Sequence, residues 1–175
     1  SCSRSRMLHR RWTSKLAAIA FALATTACVS VAEQSLDKPA ASRSDRAMIR
    51  KFNPPGVAAP MSPYSHGVSV PAGMRIVTTA GQVGITKDGV VPPTVEEQLE
   101  LIWTNTAAIL AEDGLELADI VSIRGYIVSR DSLSAYRAAF RKYLGDVNPT
   151  STLVVVKELV APQLLVEIEV VAAGK

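Results

Sequence analysis

Two glutamates, Glu167 and Glu169, interrupt the aliphatic run Leu164 to Val171 near the C-terminus. In a strand they share one face, because alternate residues point to the same side. Burying carboxylates among aliphatic side chains is costly unless they are paired or serve a polar site, so the pair calls for either backbone-amide or arginine partners or a function. Tyr64, in Pro63-Tyr64-Ser65, offers a phenol that can donate to a carboxylate or carbonyl. His66 is the one histidine outside the N-terminal leader, and both cysteines, Cys2 and Cys28, lie in that leader. That inventory leaves the rest of the chain without a Cys nucleophile, a disulfide, a Cys-ligated zinc or a Ser-His-Asp triad. No Gly-rich loop opens a helix to cradle phosphate, and Gly84, Gly89 and Gly114 read as turn or cap residues. No metal or cofactor is expected.

These residues need elements to position them. Thr94-Val95-Glu96-Glu97 reads as a capping box opening a helix that runs to about Glu112, and Gly114 stands where a left-handed C-terminal cap belongs. Val95, Leu99, Ile102, Thr106 and Ile109 or Leu110 keep the three-and-four spacing of one buried face. A second helix is expected after an Asp131 cap, with Leu133, Tyr136, Phe140 and Tyr143 or Leu144 inward and Gly145 closing it. Strands are expected over 49–52, 66–70, 75–80, 120–128, 152–157 and 164–172, and Pro71-Ala72-Gly73-Met74 predicts a hairpin between the second and third. Pro54, Pro55, Pro60 and Pro63 enforce an extended, turn-rich crossing before it. The pattern is α+β: a single mixed sheet with two helices packed on one face. The other face is partly apolar and has no helix left to cover it, which predicts an oligomer.

The N-terminus divides from this domain. Arg4, Arg6, Arg10, Arg11 and Lys15 precede an apolar run of 12 residues, Leu16 to Ala27, and Ser30 and Ala32 are small residues at a cleavage site. That is a secretory signal pattern over residues 1–32, with Met7 a candidate start and residues 1–6 upstream of it. The run falls short of the roughly 20 residues that span a bilayer, so no transmembrane span is expected. Thr25-Thr26-Ala27-Cys28 offers a lipid anchor at Cys28 as the alternative to cleavage after Ala32; either places the protein in the periplasm or otherwise outside the cytoplasm. Residues 33–47 carry almost no large apolar side chain and read as a flexible linker, leaving 48–175 as the folded domain. The whole chain has a formal charge of +3, but from Glu33 onward 14 Lys and Arg face 16 Asp and Glu, a net charge of −2. No nucleic-acid partner is expected from that balance.

Four motifs in order, Pro63-Tyr64-Ser65, Ala80-Gly81-Gln82, Asn148-Pro149-Thr150-Ser151-Thr152 and Glu167-Ile168-Glu169, resemble the reactive-intermediate deaminase (Rid, or YjgF) family from about Met48 to Ala172. The resemblance implies a chorismate-mutase-like fold and a homotrimer whose three sheets enclose a barrel, with small-molecule clefts between subunits. It assigns Glu167 to positioning or activating water in hydrolytic deamination of an enamine or imine, and Tyr64, Ala80 and Gly81 to the cleft. In deaminating members an Arg stands two positions after the Pro and grips the substrate carboxylate; here that position is Ser151. A hydroxyl cannot reproduce that two-pronged charged contact, and charged hydrogen bonds contribute roughly 1.5–3 kcal/mol each, about tenfold to a little over a hundredfold in affinity. Arg137 or Arg124 is the candidate replacement cation. Ala80 stands where a Ser is common in the family, and His66 where a Gln is. The expected function is an exported trimer that binds a small metabolite, with enamine or imine deamination, or binding without turnover, as its two outcomes.

Overall fold

The computed structural model describes residues 48–175. The strands are β1 (Arg50–Phe52), β2 (Gly67–Ser69), β3 (Arg75–Thr78), β4 (Gln82–Val83), β5 (Ile120–Ile127), β6 (Thr150–Val155) and β7 (Val166–Gly174), and the helices are α1 (Val95–Ala111) and α2 (Leu133–Leu144). The main sheet has the order β3-β7-β5-β6, with β4 also pairing β7. β5 and β6 are parallel and joined by α2, whereas β7 is antiparallel to β3, β4 and β5, so the sheet is mixed as expected. The leader and the linker lie outside the described residues.

Both helices pack on one face. α1 buries Leu99, Ile102, Thr106 and Leu110, and α2 buries Tyr136, Phe140 and Leu144, the stripes expected from their spacing, and α1 buries Gln98 and Trp103 besides. They meet Ile123 and Ile127 of β5 and Val166, Ile168, Val170 and Ala172 of β7 in one core cluster. Each of the valine, leucine, isoleucine and phenylalanine side chains among them, fully buried, stabilises the fold by about 1.5–3 kcal/mol relative to exposure. The capping box forms with a variation: the Thr94 hydroxyl accepts from the Glu97 amide at 3.3 Å and donates to the Glu97 carboxylate at 2.6 Å. Gly114, at φ +70°, takes the positive-φ conformation expected after α1, and Gly145 closes α2 at φ +49° and ψ −115°, a conformation open mainly to glycine.

Two expectations are corrected. The second and third strands form no hairpin with each other: β2 pairs with β1 in a separate two-stranded ribbon, and β3 pairs with the far end of β7. Gly73 does turn the chain, at φ +87°, but the strands on either side diverge to non-local partners. Asp131 is not the cap that leads into α2. Ser132 holds that position without a side-chain cap bond, and the capping lies upstream, where Ser129 accepts from the Asp131 amide at 3.1 Å and opens a short 3-10 turn, Arg130–Ser132, from which α2 continues.

The opposite face of the sheet is covered by no helix among the described residues. Strand register assigns to it Ser122, Arg124 and Tyr126 of β5, Thr152 and Val154 of β6, and Glu167, Glu169 and Val171 of β7. Ile76 and Val154 are 50% and 42% exposed there.

Candidate functional site

The residues singled out in the sequence fall into two groups. Tyr64, Arg137 and Ser151 line one cavity of about 300 Å³ on the helix side of the sheet, together with Met61, Ser62, Pro63, Leu133, Tyr136, Phe140 and Leu153. Ala80, Gly81 and Glu167 lie elsewhere. The register pairs Ile123 with Ser151 and Tyr126 with Glu167, three residues along β5 and on strands flanking it. At about 3.3 Å per residue and 4.8 Å per strand, the two Cα atoms are roughly 14 Å apart, and the odd spacing puts their side chains on opposite faces. One protomer therefore does not bring Glu167 to Ser151.

Local chemistry fixes the first group. Ser65 donates its hydroxyl to the Asn148 carbonyl at 2.8 Å and its amide to the Pro149 carbonyl at 3.0 Å, which holds neighbouring Tyr64 at the entrance of β6, beside Ser151. Asn148 takes φ +47°, a left-handed conformation that Asn tolerates better than most residues. His66 bonds the Ala58 carbonyl through its Nε2 at 2.7 Å, while its amide donates to Asn53 Oδ1 at 2.8 Å. Its ring also stands edge-on to Tyr64, with centroids 5.6 Å apart. The histidine thus shapes the proline-rich crossing that carries Tyr64. On α2, Leu133, Tyr136, Arg137 and Phe140 present one side to the cavity, following the three-and-four spacing of a helix. Arg137 is the one charged residue of the lining, is exposed, and has no hydrogen-bond or ion-pair partner among the described residues. Tyr136 contributes to the wall and is buried across Gly125: a Cβ at that glycine would lie 2.4 Å from its hydroxyl. Burial pushes the Tyr136 phenol far above its usual range, and its oxygen has no partner among the described residues.

The second group is built by a bulge. Thr78 pairs with Val171 and Gln82 with Ile168, so the stretch 79–81 holds one residue more than the strand opposite. Thr79 secures it twice, its amide donating to the Val170 carbonyl at 3.0 Å and its hydroxyl accepting from the Val170 amide at 3.1 Å. The bulge presents Gly81 to Glu167 so closely that a Cβ on residue 81 would lie 1.8 Å from Glu167 Oε1. This explains the glycine by contact. The two glutamates differ in their company. Glu169 Oε1 accepts from Arg124 Nη1 and from the Tyr126 hydroxyl, both at 3.2 Å, which is the structural role. Burial, followed by the Glu169 charge, raises the Tyr126 phenol above its usual range. Arg124 is thereby committed to Glu169. Glu167 is half-buried and makes no hydrogen bond among the described residues, so its carboxylate is available to a water or ligand.

Sequence reasoning missed Met61 and Leu153 as cavity walls, and it took Leu133, Tyr136 and Phe140 as core alone. The helical spacing of the last three was visible. Nothing local distinguishes Met61 from any other residue of the crossing.

The family model described as endoribonuclease L-PSP matches residues 56–174. A RutC family protein of Aquifex aeolicus is 34% identical over 127 residues, covering 71% of this chain and 98% of that protein. Among solved structures, the YyfB protein of the conserved Rid protein family from Yersinia pestis is 30% identical with a TM-score of 0.63, covering 71% of this chain and 97% of that one. The YjgF gene product of E. coli is 26% identical with a TM-score of 0.54, covering 67% of this chain and 92% of that one. With the mixed sheet, the two helices on one face and the four motifs in place, the chain belongs to the Rid (YjgF) family, the one whose model is described as endoribonuclease L-PSP.

Proposed function

We propose that this protein is an exported Rid-family homotrimer that binds a small metabolite in clefts between subunits and turns over short 2-imino acids poorly. The observation that carries the reading is the division of the site. Tyr64, Arg137 and Ser151 surround a cavity on the helix side, while Glu167, without a hydrogen-bond partner among the described residues, stands against Gly81 on the other face. Two such half-sites form one cleft when the uncovered face of one subunit meets the cavity side of the next. Trimeric closure also removes the exposed Ile76 and Val154 from water. Export rests on the basic, apolar and small-residue order of residues 1–32, with Cys28 as the alternative lipid-anchored end.

In the hydrolytic reaction, Glu167 accepts a proton from water as the oxygen adds to the C=N carbon, and the nitrogen leaves as ammonia after taking up protons, giving the carbonyl product. Orientation of the imine against that water is where Ser151 fails, because a hydroxyl holds a carboxylate by one neutral contact instead of two charged ones. RNA cleavage, named in the description of the family model, gains no support from residues 33–175, whose net charge is −2 and whose single histidine is engaged with Ala58.

The test is a coupled assay in which a keto-acid dehydrogenase reports imine hydrolysis. Wild type should be slow, Ser151→Arg should gain activity, and Ser151→Arg combined with Glu167→Gln should lose the gain. Absence of any gain in a folded Ser151→Arg trimer would contradict the catalytic part of the reading. Fast wild-type turnover would contradict the assignment of Ser151 as its weak point.

A further inference from the structure

The cavity beside Ser151 has features that the loss of a cation at that position does not explain. It retains one cation, Arg137, on the middle of α2 instead of on β6. That guanidinium is exposed and unpartnered among the described residues, and no acidic side chain of its own protomer lines the cavity to compete for it. Its five donors in a planar fork suit a carboxylate. Around it the walls are apolar and aromatic: Met61, Pro63, Tyr64, Leu133, Phe140 and Leu153. The volume, about 300 Å³, is roughly twice that of the engineered apolar cavity of about 150 Å³ that accepts benzene. A two- or three-carbon acid would leave most of that apolar space filled with water. An aromatic ring occupies roughly half of it and leaves room for a short chain ending at Arg137.

We propose that this cleft takes aromatic monocarboxylates, with the ring against the Tyr64–Phe140 side and the carboxylate on Arg137, so that the anion anchor has moved from the strand to the helix. The proposal rests on the reading of the clefts as ligand sites and adds their ligand class. It assigns Arg137 as the specificity-determining residue. Ser151 then becomes part of the explanation, because a small residue at that position leaves the ring its space, where a long side chain would fill it.

The experiment is calorimetric titration of the purified full-length protein with three probes: phenylacetate, its uncharged isostere phenylacetamide, and acetate. Phenylacetate should bind at least about tenfold more tightly than either of the others, since the amide lacks the charged contact and acetate lacks the ring. Arg137→Gln should abolish the preference for acid over amide without lowering the melting temperature, because the side chain has no partner to lose among the described residues; Arg137→Lys should keep part of the preference. Ser151→Phe should weaken phenylacetate binding while leaving Arg137 in place. Equal binding of acid and amide, or unchanged acid binding in folded Arg137→Gln, overturns the anchor but leaves the cleft as a ligand site. Preference for acetate over phenylacetate overturns the ligand class. Failure of all three probes to bind overturns this proposal, whereas failure of the underlying reading shows separately, as a stable monomer that has no cleft.

Discussion

Replacing Gln98 should be among the most damaging single changes in the domain, although the residue is polar and sits on a helix whose other buried positions are mostly apolar. Its side chain is fully buried; Nε2 donates to the carbonyls of Pro92 and Gln163, and Oε1 accepts from the Leu165 amide, all at 2.9 Å. One side chain thus ties the turn before α1 and the loop before β7 to the helix, two residues ahead of Glu167. Gln98→Met keeps the length and removes all three bonds. A buried group left unsatisfied costs about 1–3 kcal/mol, but Pro92 and Leu165 are half-buried and Gln163 is exposed, so water can partly replace the lost bonds and the three together, partly offset by the apolar methionine, amount to about 2–3 kcal/mol. That is a large part of the roughly 5–15 kcal/mol that a domain has in total. Urea unfolding followed by the fluorescence of buried Trp103 measures it. Gln98→Glu separates donation from packing. Its carboxylate would be buried beside two carbonyls, so its folded pKa lies above the unfolded one. Its stability is then highest below the ordinary carboxylate pKa and is lost as pH rises through the raised value. A loss under about 1 kcal/mol for Gln98→Met, or a Gln98→Glu protein indifferent to pH, would refute the reasoning.

Three other changes separate function from stability. Gly81→Ala puts a Cβ 1.8 Å from Glu167 Oε1 but meets only the movable end of that side chain; melting should shift by less than about 1 kcal/mol equivalent, while the activity gained by Ser151→Arg should be lost. Tyr136→Phe removes a buried hydroxyl that has no partner among the described residues, and denaturation should show a gain of about 1 kcal/mol. Glu100 is bonded by Lys142 and Tyr143, and the hydrogen bond from Lys142 is the main cause that lowers its carboxyl pKa. That contribution is present above the unfolded carboxylate pKa and lost as pH falls through the lower folded value, so the stability gap between wild type and Glu100→Gln should close in acid and shrink in high salt.

The helices and their buried stripes were legible because Leu99, Ile102 and Thr106, and Tyr136 and Phe140, declare their face by spacing alone. The identity of the site residues was legible through motifs, but their grouping was not. Alternation in β7 separates Glu167 from the aliphatic residues, yet β6 is apolar on both sides, so only its pairing with β5 tells which face Ser151 takes. The failed hairpin has the same origin: Pro71 to Met74 is a good local turn, and strand pairing with β1 and β7 is decided by residues far along the chain. Local chemistry likewise could not choose between Glu167 and Glu169; the three-way contact of Arg124, Tyr126 and Glu169 across β5 and β7 does.

The claim that matters most is that one protomer holds two halves of a site on opposite faces of its sheet, and that assembly completes it. Native mass spectrometry of residues 33–175 tests this directly. A species of three times the protomer mass, persisting at micromolar concentration, is the result expected. A monomer with a native melting transition at the same concentration would contradict the claim and dissolve the cleft with it.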